Sequence, residues 1–113
     1  MLKETSVIFK ALSDPNRLRI LKMLASKSMC VCEITAALKL AGSTVSQHLG
    51  ILKDAGFILE EKDGKWVNYS LYTANRNPLI ISLLNLLNYE LENDKTIQKD
   101  LLLINTISRK NLC

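Results

Sequence analysis

Between Val31 and Tyr72 the chain carries two helix-like stretches joined by a glycine-containing turn, then two strand-like runs meeting at Asp63-Gly64. No other segment limits the fold so tightly. A short helix at about 31–38, the turn Lys39-Leu40-Ala41-Gly42 and a helix of about four turns ending at Ala55 make a helix-turn-helix pattern. Ser43 or Gly42 is expected to cap the longer helix, and Gly56 to close it. Phe57 to Lys62 and Lys65 to Tyr72 read as strands because Asp-Gly suits the backbone of a two-residue hairpin. A hairpin directly after a helix-turn-helix is a wing, so the fold class is mainly α with a small β-hairpin: a winged helix-turn-helix.

The flanks supply helices. Residues 3–12 form a short amphipathic helix with Val7, Ile8 and Leu12 at helical spacing. Asp14 is a good N-cap, and Pro15 at the first helical position needs no hydrogen-bonded N–H. The helix they open runs to about Lys27, burying Leu18, Leu21 and Leu24 with Ile20 alongside and keeping Arg17, Arg19 and Lys22 near the surface. Pro78 opens another helix to about Glu92, apolar on several sides through Leu79, Ile80, Leu83, Leu84, Leu86, Leu87 and Leu91. A helix this apolar in so small a protein is expected to pack against a second copy, with a last helix at about 96–108 completing the surface. The expected organisation is one domain over 1–113, with a wing at about 57–72 and dimerisation helices at about 3–12 and 78–108.

Composition narrows the class. At 113 residues and 48% hydrophobic, the chain has enough for one small core. The densest apolar stretch, Leu79 to Leu87, is interrupted by Ser82 and Asn85 and is too short to span a bilayer. With no signal-peptide pattern at the N-terminus, a cytoplasmic location without a membrane partner is expected. Thiols there are expected to be reduced, and an odd count of three cysteines argues against a disulfide framework. Residues 1–76 carry eleven Lys/Arg against seven Asp/Glu, whereas 77–113 carry four of each, so the positive excess lies where a nucleic acid would be gripped. No paired carboxylates, nucleophile–base pair or phosphate loop is present, which argues against an enzyme.

Residues 43–55 wound at 100° per residue place Val45, Leu49 and Leu52 on one face, with His48 at its edge. Ser43, Ser46, Gln47 and Gly50 point the other way, and Thr44 adds a further hydroxyl. Gln bonds adenine bidentately and Ser or Thr bonds any base edge, so Ser43, Thr44, Ser46 and Gln47 are the candidate readers of double-stranded operator DNA. His48, lacking His or carboxylate partners, is a packing or phosphate-contacting residue rather than a metal ligand. Lys62 and Lys65 flank the hairpin turn and suit phosphate or minor-groove contact.

Cys30-Val31-Cys32 stands just before the helix-turn-helix. A thiol pair there suggests a switch in which a soft metal or metalloid binds and the grip on DNA changes. Residues i and i+2 of an ideal helix lie about 200° apart, so chelation of one ion requires that Cys30 lie outside the helix or that its first turn unwind.

Three stretches together resemble the ArsR/SmtB family of winged-helix repressors over roughly residues 5–92. Ala11-Leu12-Ser13-Asp14-Pro15-Asn16-Arg17-Leu18-Arg19-Ile20-Leu21 is similar to its opening signature, Ser43-Thr44-Val45-Ser46-Gln47-His48-Leu49 to its recognition helix, and Gly64-Lys65-Trp66-Val67-Asn68-Tyr69-Ser70-Leu71 to its wing strand. The resemblance implies a homodimer, built on the first and late long helices, that blocks transcription unliganded and leaves the operator when an inducer binds. Cys30-Val31-Cys32-Glu33-Ile34 resembles the thiolate box of the arsenite/antimonite sensors, so As(III) or Sb(III) is the implied inducer, with no constitutive cofactor. Thr35 stands where a third cysteine often follows, which leaves Cys113, a small thiol or hydroxide as the third ligand. Cadmium/lead sensors add N-terminal cysteines, absent from residues 1–29, and zinc, nickel and cobalt sensors use late-helix histidines, absent from 78–92. A Cd(II)/Pb(II)-responsive repressor, a thiol redox sensor and a protein-interaction winged helix remain the alternatives.

Overall fold

The computed structural model describes residues 1–112, Asn111 by its backbone alone. Its elements are α1 (Leu2–Ala11), α2 (Pro15–Ser26), β1 (Met29–Cys30), α3 (Val31–Leu38), α4 (Gly42–Ala55), β2 (Ile58–Asp63), β3 (Trp66–Leu71), α5 (Pro78–Glu90), α6 (Lys95–Ile104) and α7 (Arg109–Leu112).

Local chemistry accounts for most of the boundaries. Asp14 caps α2 as expected, its Oδ1 accepting the N–H groups of Asn16 (2.7 Å) and Arg17 (3.2 Å). Burial works against the charged Asp14 carboxyl, but these N–H donors, with the Arg17 guanidinium close by, hold it below the ordinary carboxylate range. The cap of α4 differs from expectation: it is Ala41, in extended conformation, with no side-chain bond. Ser43 and Gly42 already lie inside the first turn, which leaves the Ser43 hydroxyl free of capping duty. Gly56 closes α4 at φ 96°, and a Cβ there would come within 2.9 Å of Asn75 Nδ2, which itself donates to Gly56 O.

α4 buries Val45, Leu49 and Leu52 against the body, the face the helical spacing selects. Ile20, Met23, Met29, Ile34, Phe57 and Ile58 join them in one core, where truncation of a large side chain costs about 2–5 kcal/mol. Leu18, expected to be buried, is only half-buried, and Met23 occupies the core in its stead.

Two features depart from the sequence reading. The hairpin is part of a three-stranded antiparallel sheet, ordered β1-β3-β2, because Met29-Cys30 pairs with Tyr69 and Asn68 of β3. The late region, expected to supply dimerisation helices over 78–108, forms two helices that differ in how much they bury within the chain. α5 buries only Ile80, whereas α6 turns Ile97 and Ile104 into its own chain and anchors Asp100 on Arg19, with Nε–Oδ2 2.8 Å and Nη2–Oδ1 2.9 Å. Asp100 is 4% exposed, and the bidentate guanidinium is what makes a carboxylate tolerable there.

Candidate nucleic-acid interface and thiol site

On α4 the side chains of Ser43, Thr44, Ser46 and Gln47 are all exposed, and among the described residues none spends a hydrogen bond within the chain. Polar groups left unpaired on one face of an exposed helix are free to pair with base edges. His48, half-buried, is different: its Nδ1 lies 3.1 Å from Arg17 Nη1. Gly50, on the same helix, has open space around the position of a Cβ.

The angle between α4 and the wing is held by a triad that sequence reading missed. Lys53 of α4 donates to Glu60 Oε1 of β2 (2.7 Å), and Tyr69 of β3 donates to Glu60 Oε2 (3.0 Å). The lysine and tyrosine hydrogen bonds keep the Glu60 carboxyl below its ordinary range, and burial with the Glu60 bond pushes the Tyr69 hydroxyl up to about 12. The residues stand on three elements, so no local spacing could pair them.

The two-residue turn is Gly64 (φ 61°) and Lys65, one position later than the expected Asp63-Gly64, because Asp63 ends β2 paired with Trp66; exposed Lys65 is thus in the tip itself and exposed Lys62 lies on β2 beside it. Lys65 Nζ lies over the Trp66 ring, 4.8 Å from its centroid. Arg109 of α7 covers the same ring at 4.2 Å and donates to Asn68 Oδ1 (3.1 Å) and Asp63 Oδ2 (2.7 Å). The C-terminal region, silent in the sequence, is thereby fastened to the wing.

The thiol positions lie behind this wing. Cys30 is outside α3: it is the N-cap residue, extended at φ −87° and ψ 168°, and belongs to β1. The first turn therefore has no need to unwind for the two positions to diverge from helical geometry, the second of the two routes considered above. Cys30 carries a free thiol, 2% exposed, and its N–H donates to Glu33 Oε1 (3.0 Å). Cys32, in the first turn of α3, is half-buried and disulfide-bonded, contrary to the expectation of reduced thiols throughout. A cavity of about 310 Å³ is lined by Cys30, Val31, Cys32, Lys65, Trp66 and Val67. Thr35 Oγ1, one turn beyond Cys32, is buried without a hydrogen-bond partner. Cys113, the candidate third ligand, lies outside the described residues.

With this geometry in view, the comparisons with known proteins are specific. The family model described as "Bacterial regulatory protein, arsR family" matches residues 14–59, the span from the Asp14 cap to the first wing strand. Over 84 residues the chain is 45% identical to an uncharacterized HTH-type transcriptional regulator of Methanocaldococcus jannaschii, covering 74% of this chain and 93% of that protein. The chain belongs to the ArsR family. This ArsR-family regulator is also 39% identical over 67 residues to the arsenic resistance transcriptional regulator ArsR1 of Pseudomonas putida, covering 58% of this chain. The match spans about half of that relative, 52% of its length. Among solved structures it is similar to HlyU from Vibrio cholerae, with a TM-score of 0.65, 30% identity, and coverage of 78% of this chain and 91% of that one. The winged helix-turn-helix is thus the family's, and DNA-binding transcriptional repression is the function class. No helix among the described residues is long and apolar enough to cross a membrane.

Proposed function

We propose that the chain is a thiol-gated repressor: a homodimer holds a palindromic operator through α4 and the wing, and lets go when As(III) or Sb(III) binds Cys30 and Cys32. One observation carries this reading. The two thiol positions straddle the joint between wing and helix-turn-helix, Cys30 in the wing's sheet and Cys32 on α3, with a cavity between them. A thiophilic ion bridging both sulfurs pulls directly on that joint. Thr35 supplies a hard oxygen rather than a soft third donor, so the third position falls to Cys113, a small thiol or hydroxide. The named role of the Pseudomonas putida relative in arsenic resistance supports the choice of ion.

Dimerisation is supported by what the monomer leaves uncovered. Leu2 (87%), Phe9 (51%), Leu86 (58%) and Tyr89 (78%) are large exposed hydrophobics on α1 and α5. A two-fold dimer of winged helices reads a two-fold operator. Release requires that the inducer bind free protein more tightly than DNA-bound protein, and typical couplings of about 1–3 kcal/mol amount to roughly fivefold to 150-fold.

The disulfide at Cys32 favours a second reading on the same scaffold, in which oxidation itself is the trigger. One titration separates them. Reduced protein on a labelled operator duplex is challenged with arsenite, antimonite, cadmium, lead and zinc, and in parallel with peroxide. Arsenite and antimonite are expected to release the DNA, while Cys30→Ser and Cys32→Ser bind DNA normally and stay bound. If the double variant dissociates with arsenite as the parent does, the metalloid site is lost as an explanation. Release by peroxide alone would transfer the role to redox.

A further inference from the structure

Arg17 is engaged three ways at the junction of α1, α2 and α4. Its Nε donates to Ala11 O (2.7 Å), its Nη2 to Lys10 O (3.2 Å), and its Nη1 faces His48 Nδ1 at 3.1 Å. The two carbonyls belong to the last turn of α1, where helix carbonyls lack intrahelical partners. A guanidinium stays charged and has only donors. His48 Nδ1 must therefore offer its lone pair, and the ring's proton resides on Nε2. Asp14, which caps α2 beside this junction, balances the charge of the guanidinium.

We infer that Arg17 is a positioning residue for DNA binding: it fixes His48 as the neutral tautomer whose Nε2–H is a donor to a DNA phosphate. Nδ1 and Nε2 lie on opposite edges of the ring, so binding Nδ1 on the α1–α2 side directs Nε2–H away from it. His48 directly follows exposed Gln47 and stands one turn beyond exposed Thr44, half-buried at the edge where the face of Val45, Leu49 and Leu52 gives way to the exposed side of α4. A neutral N–H contributes a directional bond to phosphate without displacing a counterion, unlike Lys62. This assignment rests on the DNA-binding reading above and adds an atom, a charge state and the residue that sets them.

The test uses the reduced full chain and a fluorescein-labelled mixed-sequence duplex, since a phosphate contact is independent of sequence. His48→Asn keeps an acceptor near the Nδ1 position for Arg17 but removes the distal donor. His48→Gln places an amide near the Nε2 position. His48→Asn is expected to bind roughly tenfold more weakly, the loss of one hydrogen bond to a charged group, with an unchanged dependence on salt. His48→Gln is expected to stay within about threefold of the parent. Equal binding by His48→Asn, or a weakening accompanied by a shallower salt slope, overturns the assignment, the latter because it would mean a cation at position 48.

Nitrogen-15 spectra of the ring supply the readout for Arg17. The parent is expected to show one fixed tautomer with an unprotonated Nδ1, and Arg17→Met an averaged pair. Identical ring signals in the two proteins remove Arg17 from the role. Because Arg17 also holds α1, the two His48 variants carry the test if Arg17→Met unfolds. A parent that binds no duplex at all overturns the DNA-binding reading itself, a result distinct from every one above.

Discussion

Cys30 and Asn68 are partners across the β1–β3 ladder, and Asn68 in turn accepts a hydrogen bond from Arg109. The thiol site is thus part of the wing's own sheet rather than a neighbour of it. A force applied at Cys30 reaches the wing directly through backbone pairing, and reaches α4 at one remove, through α3 and the turn after it or through the Tyr69–Glu60–Lys53 triad. Arsenite added to reduced protein is therefore expected to raise amide exchange across Trp66–Leu71 more than across the buried stretch Val45–Leu52. Exchange that rises in α4 alone would place the transmission in the recognition helix.

Gln47 and Lys62 are exposed on different elements and are expected to fail differently. Gln47→Ala removes a base-edge contact and should cost about 1–3 kcal/mol of specific affinity with little effect on non-specific binding. Lys62→Ala should weaken binding to all sequences alike and lower the salt slope by about one. Parallel titrations with operator and unrelated duplex over several salt concentrations measure both. An equal loss on both duplexes for Gln47→Ala would take it off the reading face.

Arg19 and Asp100 tie α6 to α2 across 81 residues of sequence. Asp100→Asn leaves the guanidinium without its charge partner and should destabilise the fold by roughly 2–4 kcal/mol in urea unfolding. Replacing both partners together, as Arg19→Met with Asp100→Leu, should recover most of that loss, since two fitted apolar side chains remove both desolvation penalties. A single variant within a few tenths of the parent would show that α6 is held by Ile97 and Ile104 alone.

The Asp14 cap makes a pH-dependent contribution whose sign follows from its lowered carboxyl. A group depressed in the folded state stabilises fully above its unfolded value, here near 3.8, and loses that contribution as pH falls through the folded value. Asp14→Ala should cost about 1 kcal/mol at neutral pH. The gap between variant and parent should close below the ordinary aspartate range, which urea midpoints measured from pH 7 downward would show. A gap that stays constant into acid would mean that the charge of Asp14 contributes nothing to the cap.

Much of this was legible locally. Pro15 behind Asp14, Gly56 after Ala55 and Gly64 each mark a boundary through their own backbone chemistry, although the hairpin turn falls on Gly64-Lys65 rather than Asp63-Gly64, and the spacing of Val45, Leu49 and Leu52 picks the buried face of α4. The exposure of Ser43, Ser46 and Gln47 follows from the same spacing. The capping of α4 by Ala41 did not follow, because an extended residue without a side-chain bond leaves no mark in composition. The pairings Arg17–His48, Lys53–Glu60–Tyr69, Arg19–Asp100 and Arg109–Trp66 were equally invisible, since each joins residues on separate elements.

The sequence by itself determined the helix-turn-helix, the hairpin and the polar face between them, because periodicity, caps and turn residues act over a few positions. Only the tertiary structure decided that Cys30 lies in the wing's sheet, that α6 packs Ile97, Asp100 and Ile104 into its own chain, and that His48 is held by Arg17. Each of those depends on which distant backbone or charge arrives alongside, and that is set by the packing of the whole core.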